Sequence, residues 1–282
     1  MIELRRGDWR LGLRPEIGGA IASLSRGGVD ILRPMPEAST QVLDAACFPL
    51  TPYANRIAGG SFVFEGRRIA LPVLPAFAPH ALHGDGWLSA WMVEARDETS
   101  LTLAHRHAPD QWPWAYEARQ VFDLTGEGLK VTLSMTNLSA GPMPAGLGLH
   151  PYFPVSDKTR LRLDAAQVWG GGEDEVPTTL LEASAVQDWS WGPRVAEAPF
   201  VDNCYVGGGA VVLAEPGRTT TVTASDNAGW RHVYVPGADF CCIEPVTHRP
   251  DAAHAPGGEA SGWTVLPPGG TMSMRMEVSV RG

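Results

Sequence analysis

From Ser61 to Val280 the chain repeats one pattern: four to ten residues of alternating apolar and polar side chains, then glycine, proline, asparagine or aspartate. Alternation at period two is the signature of a strand with one buried and one wet face. Ser61–Phe64 and Ile69–Leu71 flank a turn at Glu65–Arg68. Ser100–Arg106, Glu117–Leu124, Leu129–Asn137, Arg160–Leu163, Gly209–Ala214, Thr219–Ala224, Arg231–Val235 and Thr271–Val280 alternate in the same way. The 32 glycines and 24 prolines, about a fifth of the chain, break it too often for long helices. No stretch of ten residues keeps a 3.6-residue period, and no GxGxxG opens a helix, so a doubly wound α/β fold loses its support. Many short strands at this spacing predict an all-β chain, a large antiparallel β-sandwich with little helix. No internal repeat or long linker divides it, and residues 1–282 are expected to form a single domain.

Composition removes several function classes. The formal net charge of −9 and a pI near 5.3 argue against a nucleic-acid partner, which needs a basic face. No run approaches the roughly 18 apolar residues of a membrane span, and MIELRRGDWR lacks the apolar core of a secretory signal. Cys47, Cys204, Cys241 and Cys242 have no CxxC spacing, and two are adjacent, so reduced thiols and a cytoplasmic location are expected.

Chemically capable residues outside the strands gather in four clusters: Asn55-Arg56, His80 with His83, His150, and Glu244, with Asp202 as an outlying carboxylate. Each adjoins glycine or proline, where functional side chains tend to project. Two histidine pairs, His80-x-x-His83 and His105-x-His107, have ligand-like spacing. Neither has the nearby glutamate of a cupin or the HExxH of a zincin, so no metal site is expected. No GxSxG elbow or local cysteine signature marks a nucleophile. What remains is acid–base work by His150 and Glu244. The alternative for the first is a half-buried histidine bonded to backbone, and for the second a salt bridge to an arginine. The turn tryptophans Trp112, Trp114, Trp189 and Trp191 suit either packing over a sheet edge or a platform under an apolar sugar face.

In this order the clusters resemble the aldose 1-epimerase (galactose mutarotase) family. The matching residues are Asn55-Arg56-Ile57 with Gly59-Gly60-Ser61-Phe62, Leu82-His83-Gly84 with Trp87 and Trp91, Gly148-Leu149-His150-Pro151-Tyr152-Phe153, Asp202 with Tyr205, and Glu244-Pro245 with Pro250-Asp251-Ala252. The resemblance implies the galactose mutarotase-like supersandwich and a small-molecule sugar substrate. It implies no cofactor; separately, a monomer or homodimer is expected. It implies Glu244 as general base for the anomeric hydroxyl and His150 as general acid for the ring oxygen, with Glu244 ionised and His150 protonated before reaction. Arg56, His83, Asp202 and Asn55 correspond to sugar-binding positions. The sequence departs from the family pattern at Asp85, His80 and His254, each of which is expected to touch specificity. Two other functions fit the same fold: a non-catalytic sugar-binding or sensing protein, and an epimerase of a modified or phosphorylated hexose.

Overall fold

In the strand Gly128–Asn137, Leu129, Val131, Leu133 and Met135 are buried while Lys130, Thr132, Ser134 and Thr136 are not. Its neighbour Thr271–Arg281 buries Met274, Met276, Val278 and Val280 in the same way. The antiparallel register sets Val131 against Met276 and Leu133 against Met274. A slip of one residue would turn both apolar rows to water, at about 1.5–3 kcal/mol for each large side chain exposed. That penalty makes the alternation read from sequence a statement about which face is inside.

The computed structural model describes residues 1–172, 175–255 and 260–282. Its strands form a four-stranded sheet over Ile2–Leu32, two eight-stranded antiparallel sheets and short two-stranded pairs. The first large sheet runs, in order, Met92–Arg96, Ser100–His107, Tyr116–Leu124, Gly128–Asn137, Thr271–Arg281, Arg218–Ala224, Val211–Glu215 and Arg160–Leu163. Among the described residues the helical elements are three-residue 3-10 turns. The β-sandwich expected from the alternation is therefore what forms. Predicted strand ends differ from observed ones by a residue or two, as at Ser100–His107 and Tyr116–Leu124.

The second large sheet carries the clusters. Thr179–Glu182, Gln167–Gly170, Val201–Val206, Trp230–Val235, Phe240–Val246, Gly148–Leu149 and Pro49–Leu50 follow one another, and Tyr152–Pro154 also pairs with Phe240–Val246. Phe240–Val246 is buried on both faces. Cys241 and Ile243 enter the main core, while Cys242 and Val246 join a second apolar cluster with Phe48, Trp87, Tyr152 and Cys204. Alternation puts Glu244 on the face of Cys242 and Val246. Burial on both sides explains why this strand reads as a continuous apolar run rather than an alternating one. No helix among the described residues is long and apolar enough to cross a membrane.

Candidate active site

Three adjacent strands place a titratable side chain at facing positions. His232 on Trp230–Val235 is the register partner of Glu244 on one side and of Cys204, two residues beyond Asp202, on the other. His232 Nε2 lies 2.6 Å from Asp202 Oδ1. The His150 segment approaches across the sheet edge, its N–H donating to the Phe48 carbonyl at 3.0 Å. This brings His150 Nε2 to 3.2 Å from Glu244 Oε1. Phe48 and Tyr152 both pack against the imidazole, at 4.6 and 4.8 Å, and His83 meets it edge-on at 5.6 Å.

The turns supply the remaining groups. Asn55 and His83 both take left-handed backbone, φ 57° and 59°. The Asn55 N–H donates to His83 Nδ1 at 2.9 Å, and the Arg56 N–H donates to Asn55 Oδ1 at 2.8 Å. Gly84 follows at φ +71°, where an added Cβ would sit 2.4 Å from the Thr51 carbonyl oxygen, so only glycine fits. Arg56 reaches Asp202 at 3.6 Å and also pairs with Glu175. Asn55, Arg56, His83, His150, Asp202 and Glu244 all line one cleft of about 480 Å³, within the roughly 300–1,000 Å³ usual for small-molecule sites. A groove of similar volume between Asp8, Arg26, Glu215 and Arg218 sits elsewhere and gathers none of these groups.

Burial dominates the electrostatics. It raises the Glu244 carboxyl to about 7, with His232 opposing the rise and Asp202 adding to it. Burial, and after it the neighbouring His232, lowers His150 to about 3. Asp202 resists its own burial through the hydrogen bond from His232 and stays below the usual carboxylate range. His232, despite burial, is pushed well above the usual imidazole value by Glu244 and Asp202. Of these two histidines the proton therefore sits on His232, and His150 is neutral rather than protonated as the sequence reading expected. A buried imidazole beside another cation, whose carboxyl partner is itself raised by burial, sheds its proton.

The structure places the other singled-out residues, correcting the expectation for Asp85, His80 and His254 and bearing out the packing reading of Trp112 and Trp114. Asp85 does not add charge to the cleft; it turns toward His105, His107 and Tyr116. His80 accepts the Gly59 N–H at 3.1 Å and His254 bonds Asp251 at 2.7 Å, and neither borders the cleft. Trp112 and Trp114 pack with Tyr53, Phe62 and Phe64, Trp189 is buried, and none of the four turn tryptophans lines the cleft. The aromatic walls are Phe77, Tyr152, Phe200, Tyr234 and Phe240. Arg231 faces away from the cleft and donates to the Ala228 and Gly208 carbonyls, while Arg249 lies over Trp169, so the arginines do not converge with Arg56. Sequence reasoning missed His232, Tyr234 and Arg33. The available signal for the first two was their alternation with Val233 and Val235, which marks one polar face on an otherwise apolar strand.

Comparison with known proteins bears on the family and the fold. The aldose 1-epimerase family profile matches residues 2–279. The uncharacterized protein YphB of Escherichia coli K12 is 32% identical over 274 residues, 93% of each chain. A crystal structure from Escherichia coli K12, provisionally described as an aldose 1-epimerase, superposes with TM-score 0.90 at 32% identity, over 99% of this chain and 98% of that one. A galactose mutarotase-like protein from Clostridium acetobutylicum shares the fold at TM-score 0.89 and 18% identity, over 99% and 94%. A profile match along nearly the whole chain, over a cleft assembled from the same residues that prompted the resemblance, makes this chain a member of the aldose 1-epimerase family, an isomerase family.

Proposed function

We propose that the chain is a cofactor-free mutarotase that interconverts the α and β anomers of a free hexose of the glucose or galactose type, in the cytoplasm. The observation that carries this reading is the buried contact of 3.2 Å between His150 Nε2 and Glu244 Oε1 in the cleft. Sugar binding alone needs no acid and base in contact.

The pair shares one proton. With the proton on Glu244 the site is carboxyl and neutral imidazole; moved across the contact it is carboxylate and imidazolium, at the same net charge. The second form is the reactive one. Glu244 takes the proton of the anomeric hydroxyl, the bond from C1 to the ring oxygen breaks, and the ring oxygen takes the proton from His150. The open aldehyde then faces carboxyl and neutral imidazole, the form that burial already favours. Rotation about C1–C2 and the reverse transfers close the ring from the other face. Arg56, His83 and Asn55 donate to sugar hydroxyls, and Asp202, held ionised by His232, accepts from one.

One observation favours a second reading, an anionic hexose. Arg33 lines the cleft, lies over Tyr152 and Phe240 at 4.1 and 4.5 Å, and has no carboxylate partner among the described residues. Polarimetry of freshly dissolved α-glucose and α-galactose, beside a hexose 6-phosphate, tests both. Accelerated equilibration of the neutral sugars supports the first reading. Acceleration of the phosphate alone supports the second, and none at all leaves a binding protein.

A further inference from the structure

The loop that carries His83 ends at Asp85, whose side chain leaves the cleft and meets the strand Ser100–His107. Alternation puts His105 and His107 on one face of that strand, both buried. His105 Nε2 lies 3.1 Å and His107 Nδ1 3.0 Å from the same oxygen, Asp85 Oδ2. The three atoms are all within 4.8 Å of one another.

The other ring nitrogen of His107 narrows what this contact requires. Nε2 is 3.0 Å from the Trp112 carbonyl oxygen, which can only accept, so Nε2 carries hydrogen. The Nδ1 lone pair of a neutral His107 would then face a carboxylate oxygen. Two acceptors do not sit at that distance bare: either a second proton makes His107 an imidazolium between Asp85 and Asp110, whose Oδ1 is 3.4 Å from Nε2, or a metal ion takes the place of that proton. His105 turns a second ring nitrogen toward the same point.

We propose that Asp85, His105 and His107 form a binding site for one divalent cation of the zinc class, separate from the sugar cleft. Zn²⁺ binds imidazole nitrogen and carboxylate oxygen at about 2.0–2.2 Å, which puts tetrahedral ligands roughly 3.3 Å apart, close to the two separations measured here. The outer contacts a metal site uses are in place. The Trp112 carbonyl holds the far nitrogen of His107, and the Tyr116 hydroxyl donates to Asp85 Oδ1 at 2.6 Å. A cavity of about 70 Å³ borders Asp85 and His107. The ion would tie the turn His83–Asp85, with its two left-handed residues, to the first large sheet. Its role is to hold His83 in place; it does not touch the sugar.

The test uses the full chain, without an affinity tag and stripped with a chelator, titrated with Zn²⁺ by calorimetry and with Co²⁺ by visible absorption. The expected result is one ion per chain, an intense tetrahedral Co²⁺ band, and a rise in melting temperature with zinc. His105→Gln and His107→Gln should each lose the band, and Tyr116→Phe, which keeps all three ligands, should bind zinc about 10–100-fold more weakly. Failure of the unmodified protein to take up either ion would overturn the proposal and leave a proton on His107 in the ion's place. Equal uptake by the two histidine variants would overturn it as well, by putting the ion elsewhere.

Discussion

His232 stands directly opposite Glu244 on the neighbouring antiparallel strand, with its far nitrogen 2.6 Å from Asp202. Side chains at facing positions of two strands are about 4.5–5.5 Å apart at Cβ. A cation there offsets part of the burial that raises Glu244, and keeps its carboxyl near 7. The same charge presses on His150 from the other side and helps hold it neutral. His232 thus lowers both members of the pair against the background that burial sets.

The first expectation concerns the pair itself. Glu244→Gln keeps the shape and removes the base, and His150→Gln keeps a polar side chain that cannot become an imidazolium. Each should lower the catalysed rate of anomer interconversion by about 10²–10⁴. The double variant should be little worse than either single one, because the two act as a unit. Polarimetry above the spontaneous background is the measurement. Near-parental turnover in either single variant would remove that residue from the chemistry.

The pH profile follows from the same pair. Between about 3 and about 7 the two groups hold one proton, which is the active count. Below that window both are protonated and the base is lost; above it both are bare and the acid is lost. The rate should fall on both sides, with its alkaline limb near 7. His232→Gln removes the cation that lowers both groups, so that limb should move to higher pH. An unmoved or lowered limb would show that His232 does not govern the pair.

Sugar affinity should depend on three other residues. Arg56→Ala, His83→Ala and Asp202→Ala each leave polar partners unpaired, worth on the order of 1–3 kcal/mol. Titration calorimetry should show weaker binding, while circular dichroism shows the strand signal unchanged. Parental affinity in all three would contradict the binding roles.

The turn between His83 and Asp85 gives a prediction about backbone. Gly84 sits at φ +71°, and a methyl there meets the Thr51 carbonyl oxygen at 2.4 Å. Gly84→Ala should therefore destabilise the protein by about 1–3 kcal/mol or more and weaken sugar binding together with it, since His83 must move. Thermal melting and calorimetry on the same sample decide it; a parental melting temperature would mean the turn relaxes freely.

The alternation between Ser61 and Val280 determined the sandwich, because the apolar face of a strand has to be inside and a one-residue slip exposes it. It also placed strand ends closely in the first large sheet. The motif residues Asn55, Arg56, His83, His150, Asp202 and Glu244 were legible one by one, and their order was enough to suggest a family. Their meeting was not. Residues nearly two hundred positions apart, such as Asn55 and Glu244, share a cleft only because Pro49–Leu50, Gly148–Leu149 and Phe240–Val246 are neighbours in one sheet. Strand order is a property of long-range pairing, and local periodicity carries no information about it. The protonation of His150 and the direction of Asp85 were out of reach for the same reason. Both depend on what lies across the fold, His232 for one and the strand Ser100–His107 for the other, and electrostatics in a buried site is set by those neighbours rather than by residue type.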